Sequence, residues 1–235
     1  MVNRRASKPT AERILDIAEE VFAARGYAAA SLVDISERVG IRAPSLYSHY
    51  RSKEALYLAV MERLLERFMP LTGELQTGAM TRGRVLEWLR RYVAHHFENP
   101  NLARLLQHAA LDGGPRTAEI AARLLGPMFR RDPGKMKTAD LGVLEERLLQ
   151  GWAVVALNNM VMSYITMAPL YADLLGAEPM SAGARAKQAE VVTMLVEGAM
   201  KTAAPLLEGA QRGRRPRVGR TGVRLRLNRR ADRRR

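Results

Sequence analysis

The chain has 235 residues, no cysteine and a formal net charge of +14 at pH 7. Without cysteine, disulfides, thiolate metal sites and cysteine nucleophiles are excluded, and a reducing compartment is indicated. Twelve arginines and one aspartate lie in residues 212–235, so this tail carries eleven of the fourteen net positive charges. The rest of the chain is nearly balanced, and the overall charge therefore does not locate a surface that binds a polyanion.

The sequence also argues against secretion and membrane insertion. No apolar stretch follows the charged N-terminus, so no signal peptide is visible. The longest apolar run, residues 153–168, is short for a membrane span and is interrupted by asparagine, serine and threonine. We expect a cytoplasmic protein.

Helix-forming residues dominate and no window alternates with period two, which predicts an all-α fold of about nine helices. The first helix is predicted over residues 10–25, with Thr10 as its cap and Gly26 as a left-handed stop. A short second helix follows. Ser31 is its predicted N-cap and Gly40 its end.

A third short helix is predicted from Pro44, which fits a first helical turn, to about His49. Ser52 then caps a fourth helix, which we expect to end near Met69 because Pro70 follows. Two short helices joined by a glycine-containing turn and braced by an amphipathic first helix make a helix-turn-helix unit.

The third helix has an outer face made of small and hydrogen-bonding side chains. Leu46 is expected to point into the core, with Tyr50 one turn on, and the helix is too short to be stable alone. Such a face suits a DNA major groove, which admits a helix and its polar side chains. Lys53 opposes the dipole of the fourth helix at a cost of roughly 0.3–1 kcal/mol. That placement makes sense if Lys53 and the helix N-terminus receive a DNA phosphate.

Residues 31–56, SLVDISERVGIRAPSLYSHYRSKEAL, resemble the DNA-binding signature of TetR-family transcriptional regulators. The matching features are the hydroxyl cap, the Ile-(x)3-Val-Gly helix end, Pro-Ser-Leu-Tyr-x-His in the third helix and Lys-x-x-Leu at the start of the fourth. The motif covers about residues 10–65. The remainder resembles the family only in being helical and of similar length.

The resemblance implies a homodimer in which each subunit has an N-terminal reading head and a C-terminal domain that holds effector and partner. It also implies that Tyr47, His49 and Lys53 hold phosphates. Arg42 stands where many members have a small hydroxyl, and Ser48 where a bulkier residue is common, so the base preference stays open. The complete set of DNA-binding candidates is Ser31, Arg42, Ala43, Pro44, Ser45, Tyr47, Ser48, His49 and Lys53, of which Arg42, Ala43, Ser45 and Ser48 would face bases.

In the second part of the chain, helices are predicted over residues 82–98, 101–111, 118–130, 141–175, with a kink at Pro169, and 181–203. The last two suit a four-helix dimer interface, two helices from each subunit. The final helix repeats apolar residues at helical spacing: Ala189, Val192, Leu195, Val196, Ala199 and Met200.

A small-molecule effector would need an apolar cavity with a few polar groups. Asn158-Asn159 in an otherwise apolar helix is the best single hint, because buried amides need partners. Each candidate also has a plain packing interpretation. The candidates for ligand binding are Trp88, Tyr92, His96, His108, Trp152, Asn159, Met162 and Tyr164.

We expect no enzyme, metal site or cofactor, because H-E-x-x-H, G-x-S-x-G and P-loop spacings are absent. His95 and His96 are adjacent, and two neighbours on a helix point about 100° apart. The expected organisation is a basic arm at 1–9, a helix-turn-helix domain at 10–52, a connecting helix at 53–69, a ligand-binding and dimerisation domain at 70–205, and a disordered Arg-rich tail at 206–235.

The sequence is best interpreted as a nucleoid-associated repressor that binds a palindromic operator DNA as a homodimer and is released by a small, mostly apolar effector. Activation is an alternative within this class. Two other classes stay open: a sequence-indifferent nucleic-acid-binding protein driven by the tail, and a helical small-molecule carrier or enzyme. Arg4, Arg5 and Lys8 could form a disordered terminus or a minor-groove arm, and the tail at 212–235 could add DNA affinity or be passive.

Overall fold

The computed structural model describes residues 8–74, 81–129 and 151–212, with side chains for 8–74, 81–123 and 155–201. These ranges are helical and contain no strand, which confirms the all-α prediction. None of the helices in them is both long and apolar enough to cross a membrane. Ten helices are present: α1 Thr10–Ala29, α2 Leu32–Val39, α3 Ala43–His49, α4 Lys53–Gly73, α5 Arg82–Glu98, α6 Pro100–Asp112, α7 Thr117–Phe129, α8 Gly151–Thr166, α9 Ala168–Leu175 and α10 Ala182–Arg212.

Helices α1 to α3 and the start of α4 form the N-terminal head, whose local signals are the predicted ones. The Ser31 hydroxyl accepts from the backbone N–H groups of Val33 and Asp34, and that of Ser52 accepts from Ala55. Gly40 ends α2 with φ +78° and ψ +38°, the left-handed conformation that favours glycine. The apolar faces of all four helices meet in one core, which includes Ile14, Ala18, Phe22, Ile35, Val39, Leu46 and Leu56.

Three predicted helix ends in the head differ from the structure, the first being that of α1, which resumes after Gly26 and runs to Ala29 instead of ending at 25. Thr10 is the first helical residue and not the cap; Pro9 holds the N-cap position, and its carbonyl accepts from the backbone N–H of Arg13. Helix α4 continues through Pro70 to Gly73. This last turn is held by packing, because Thr72 is fully buried and the Trp88 indole donates to the Leu71 carbonyl at 2.8 Å.

Gly26 interrupts α1 and lies against α6. Its φ of +74° and ψ of 175° are a combination that only glycine adopts readily, so the helix is kinked and resumes for three residues. A Cβ atom at this position would lie 2.8 Å from the Asp112 carboxylate and 3.0 Å from the His108 ring. The missing side chain is what allows α6 to approach the head so closely.

The second part of the chain packs α5 against α4, α6, α8 and α10. Helix α8 ends at Thr166, and Met167 separates it from α9, so the break predicted at Pro169 lies two residues earlier. Pro169 instead sits in the first turn of α9, where its missing N–H costs no hydrogen bond. The predicted helical segment 141–150 and the tail beyond 212 lie outside the described residues. Helix α10 continues to Arg212, past the predicted end at 203.

We predict that Gly26→Ala destabilises the protein more than Gly40→Ala. Both substitutions force alanine to a positive φ, at about 1 kcal/mol or more, but nothing lies within 4 Å of a Cβ atom at position 40. At position 26 the ψ value is also unfavourable and α6 must give way, so a loss of about 3 kcal/mol is expected. Urea titration of the two variants measures this difference. Equal losses would show that the contact with α6 is not tight.

Candidate functional site

Helix α3 is anchored by one side chain and exposes the rest. Leu46 has no exposed surface and is the only buried residue of this helix. Ala43 is half-buried, and Tyr47 is half exposed at 50%. The remaining predicted DNA-binding residues of this segment are exposed: Arg42, Pro44, Ser45, Ser48 and His49. The inward position of Leu46 and the exposure of Arg42, Ser45, Ser48 and His49 agree with the sequence prediction, whereas Ala43 is less exposed than expected.

The start of α3 has no side-chain cap. Arg42 occupies the N-cap position, where no side-chain hydrogen bond forms, and its carbonyl accepts from the N–H groups of Ser45 at 2.9 Å and Leu46 at 3.3 Å. The Ser48 hydroxyl donates to the Ser45 carbonyl at 2.7 Å. The guanidinium of Arg42 is therefore free of a capping role, while one serine hydroxyl is already bonded to its own helix.

Lys53, at the start of α4, is held against the end of α1. Its ammonium donates to the Ala28 carbonyl at 2.9 Å and lies 4.8 Å from the centre of the Tyr27 ring. Neither contact was predicted from the sequence. At the other end of α1, Lys8 pairs with Asp16, while Arg4 and Arg5 fall outside the described residues.

A cluster of charged groups joins α1, α4 and α6. Arg63, on α4, donates to Asp16 at 2.8 Å and to Glu19 at 2.7 Å, both on α1. Asn101 of α6 donates to the other oxygen of Glu19 at 3.0 Å. Burial raises the pKa of Asp16, but hydrogen bonds from Lys8 and Arg63 outweigh it and hold the pKa below its ordinary value. The cluster ties the head to the second part of the chain.

The predicted effector residues of α5 form one buried group of tilted and edge-to-face rings with Phe68 of α4, called the aromatic stack below. The ring centres of Trp88 and Tyr92 are 5.0 Å apart, those of Tyr92 and His96 4.4 Å, and those of Phe68 and His96 5.2 Å. The Tyr92 hydroxyl donates to the side chain of Asn158 on α8 at 2.8 Å. Burial raises the pKa of Tyr92, so this hydroxyl stays a donor.

His96 carries an unused polar atom inside this stack. Its Nδ1 lies 2.9 Å from the Tyr92 carbonyl, while its Nε2 is buried and has no hydrogen-bond partner among the described residues. Burial lowers the pKa of His96 to about 4, so the ring is neutral at pH 7. His95 also has a buried Nε2 with no partner in those ranges, and burial lowers its pKa too. A neutral imidazole with one nitrogen free suits a ligand with a single polar group.

The other predicted effector residues do not join this stack. His108 lies on α6, beside Gly26 and 3.5 Å from Asp112. Asn159 is exposed. The Tyr164 hydroxyl donates to the Pro179 carbonyl at 3.0 Å, and the side chain of Trp152 lies outside the described set.

Asn158 is the asparagine that contacts the stack, whereas the sequence analysis gave the neighbouring Asn159 as the ligand-binding candidate. Its amide donates to the sulfur of Met162, one turn later, at 3.1 Å. The helical period indicates Asn158 as the inward asparagine, because it shares a face with the buried Val161 and Ile165.

A groove of about 170 Å³ lies between α4 and α7, outside the predicted effector residues. Its floor is apolar, and its rim carries ion pairs, including Arg123 with Glu62 at 3.2 Å. It is lined by Leu58, Met61, Glu62, Leu65, Arg116, Glu119, Ile120 and Arg123.

Helix α10 has two apolar faces. One packs on the chain's own core through Val192 and Met200, which are 1% and 5% exposed. The opposite face exposes Val191, Met194 and Leu195 at 43%, 61% and 51%. Helix α9 adds leucines at 170, 174 and 175, exposed at 66%, 81% and 55%. Large apolar side chains exposed in this number are typical of an association surface.

Comparison with known proteins identifies the head. Residues 14–60 match the profile of bacterial regulatory proteins of the tetR family. The chain is similar to the HTH-type transcriptional activator FasR of Mycolicibacterium smegmatis, with 44% identity over 71 residues, 28% of this chain and 32% of FasR. It is also similar to the HTH-type transcriptional repressor ComR of Escherichia coli, with 44% identity over 54 residues, 23% of this chain and 26% of ComR.

Both matches span only about a quarter to a third of these relatives. Over a longer stretch, the fold is similar to that of SCO4942 from Streptomyces coelicolor, solved as a candidate transcriptional regulator. The TM-score is 0.57 at 24% identity, over 81% of this chain and 97% of the other. At that identity the likeness concerns the fold alone.

We predict that the free energy of unfolding falls as pH drops from about 6.5 to 4, because of His96. An unfolded histidine takes up a proton near pH 6.5, whereas the folded one resists until about pH 4. The unfolded chain therefore binds more protons in this window, which favours unfolding by up to about 1.4 kcal/mol per pH unit. Urea titrations at pH 7, 6 and 5 measure the slope. His96→Gln should reduce it, while His49→Gln, on the exposed face of α3, should not; an unchanged slope in His96→Gln would contradict this assignment.

Proposed function

We propose, from the match of residues 14–60 to the profile of tetR-family bacterial regulatory proteins, that this chain is a ligand-responsive, DNA-binding transcriptional repressor of that family. It binds a near-palindromic operator as a homodimer. A small, mostly apolar effector releases it. The observation that carries the proposal is α3 itself, a helix in which Leu46 is buried, Ala43 is half-buried and the other side chains are exposed.

The exposed face of α3 has the chemistry of a base-reading surface. Together with the N-cap residue it offers a guanidinium, two serine hydroxyls, an imidazole and a phenol, polar groups that suit base edges and phosphates. Arg42, Ala43, Ser45 and Ser48 would face bases. Tyr47, His49 and Lys53 would hold phosphates, which position the head without reading sequence. In a dimer, two such helices about 34–36 Å apart would enter successive major grooves.

The domain organisation follows as part of the same proposal. Residues 10–52 would read DNA, α4 would connect, and the helices from α5 onward would hold the effector and the partner subunit. Repression is proposed over activation, although the relatives include one named activator and one named repressor. Measuring transcription from a bound promoter with and without the protein decides the polarity.

We predict that Lys53→Ala weakens binding to a duplex selected from a random pool, whereas Arg90→Ala does not. Losing one charge-assisted phosphate contact should cost about tenfold in affinity and reduce the slope of log K against log salt by about 0.9. Arg90 is a matched control, because its exposed guanidinium pairs with Glu87 on α5, away from α3. Fluorescence anisotropy at several salt concentrations measures both quantities.

The same titration separates the proposal from sequence-indifferent binding. An unlabelled duplex of unrelated sequence should compete poorly with the selected one. Equal competition by both duplexes, or equal losses in the two variants, would favour binding driven by general positive charge. Unchanged affinity in Lys53→Ala would remove Lys53 from the DNA contacts.

We also propose that the exposed faces of α9 and α10 meet their copies in a homodimer. Obligate dimer interfaces are large and apolar, and leaving residues such as Leu174 and Met194 in water is unfavourable. Since α10 already packs on its own core with one face, its second face is available for a partner helix.

We predict that Leu195→Glu converts the dimer into a monomer, because a charge would be buried without a partner at the centre of the proposed interface. Leu111→Glu is the control, since Leu111 is 75% exposed on α6 and lies outside this face. Analytical ultracentrifugation of the two variants measures the mass. A dimer that persists in Leu195→Glu would place the interface elsewhere.

The effector would bind near the aromatic stack of α5, where the free Nε2 of His96 could bond its one polar group. A ligand acts by binding better to the conformation that fits DNA poorly. The coupling needed is about 1–3 kcal/mol, or 5- to 150-fold. Release of the labelled duplex by apolar compounds tests this proposal, and compounds that bind without changing DNA affinity would oppose it.

A further inference from the structure

The ammonium group of Lys53 is fixed before any DNA arrives. It donates one N–H to the Ala28 carbonyl and lies over the ring of Tyr27, 4.8 Å from the ring centre. An ammonium has three N–H donors, so a hydrogen bond to one carbonyl leaves two for another acceptor. A lysine side chain also has many rotamers, and ordering it on binding would cost entropy. Here the chain itself imposes that order.

Tyr27 is held in turn by other rings of the head. Its ring centre is 5.1 Å from that of Tyr57, with the planes 68° apart, and 6.4 Å from that of Phe22. Phe22 and Tyr57 also meet edge to face at 5.2 Å, and both are buried. Gly26 breaks α1 directly before Tyr27. The ring therefore belongs to a rigid aromatic group while its face stays accessible to the ammonium.

We propose that Tyr27 is a positioning residue for DNA binding, whose ring holds the Lys53 ammonium at the start of α4 in the place where it meets a phosphate. This inference rests on the function proposed above. The attraction between a cation and an aromatic face needs the ring and not the hydroxyl. Tyr27→Phe should therefore preserve DNA binding. Tyr27→Leu, which fills space without a π face, should weaken it.

A double-mutant cycle tests the role with the full chain and the duplex selected by the wild-type protein. Tyr27→Leu should weaken binding about fivefold, and Tyr27→Phe should stay within twofold of wild type. Lys53→Met keeps the apolar stem and removes the charge. In the Lys53→Met background, Tyr27→Leu should cause no further loss, because there is no ammonium left to position.

A purely structural Tyr27 would behave differently. Tyr27→Leu would then weaken binding by the same factor whether or not Lys53 is present, and this result would overturn the proposal. A Tyr27→Phe variant as weak as Tyr27→Leu would do the same. If Tyr27→Leu does not fold by circular dichroism, the comparison of Tyr27→Phe with wild type, and the measurement below, decide the question.

Nuclear magnetic resonance of the free protein gives a readout that needs no DNA. With lysine labelled selectively, the Cε protons of Lys53, assigned by their absence in Lys53→Met, should be shifted upfield by the ring. The shift should persist in Tyr27→Phe, and its absence from wild type would overturn the proposal. If the wild-type protein instead shows this shift but selects no duplex, the proposed function fails, and the role in DNA binding fails with it.

Discussion

The burial of Leu46 is the interaction on which the position of the exposed face of α3 depends. Helix α3 has seven residues and only Leu46 is fully buried, so this side chain is the main anchor of the helix on α2 and the core of the head. Removing a buried leucine side chain costs about 2–5 kcal/mol in general. In this head, removing the Leu46 side chain would also loosen α3 from the core, and all the exposed side chains of α3 would lose their fixed positions together. The caps at Ser31 and Ser52 fix the starts of α2 and α4, the helices before and after α3. These two helices therefore present a defined position in the core to Leu46.

The head is joined to the rest of the protomer through α1 and α4. Gly26 lets α6 approach the kink in α1, and Arg63 holds two carboxylates of α1 while Asn101 of α6 bonds one of them. Tyr57 extends this contact, since its hydroxyl oxygen would lie 3.2 Å from a Cβ atom on Gly114, in the turn between α6 and α7. A displacement of α6 would therefore shift α1 through their direct contacts at Gly26 and Asn101, and also through Tyr57 of α4.

Sequence reasoning succeeded where the signal is local. The caps at Ser31 and Ser52, the left-handed Gly40 and the inward Leu46 each follow from a few neighbouring residues, and so does the α5 range of 82–98. It failed where distant residues decide. Pro70 stays helical because Trp88 bonds the last turn of α4, and no pattern pairs Arg63 with carboxylates more than forty positions away. The choice of Asn159 over Asn158 was avoidable, because the period of α8 favours Asn158.

In the proposed DNA complex, the hydrogen bond made by Ser48 would restrict which bases this helix can recognise. While its hydroxyl proton is donated to the Ser45 carbonyl, the oxygen presents only lone pairs outward. In a major groove the donors that such an oxygen can meet are the amino groups of adenine and cytosine, whereas guanine and thymine offer only acceptors. If Ser48 faces a base as proposed, this bond within its own helix turn would make its hydroxyl an acceptor only, and so selective for adenine and cytosine.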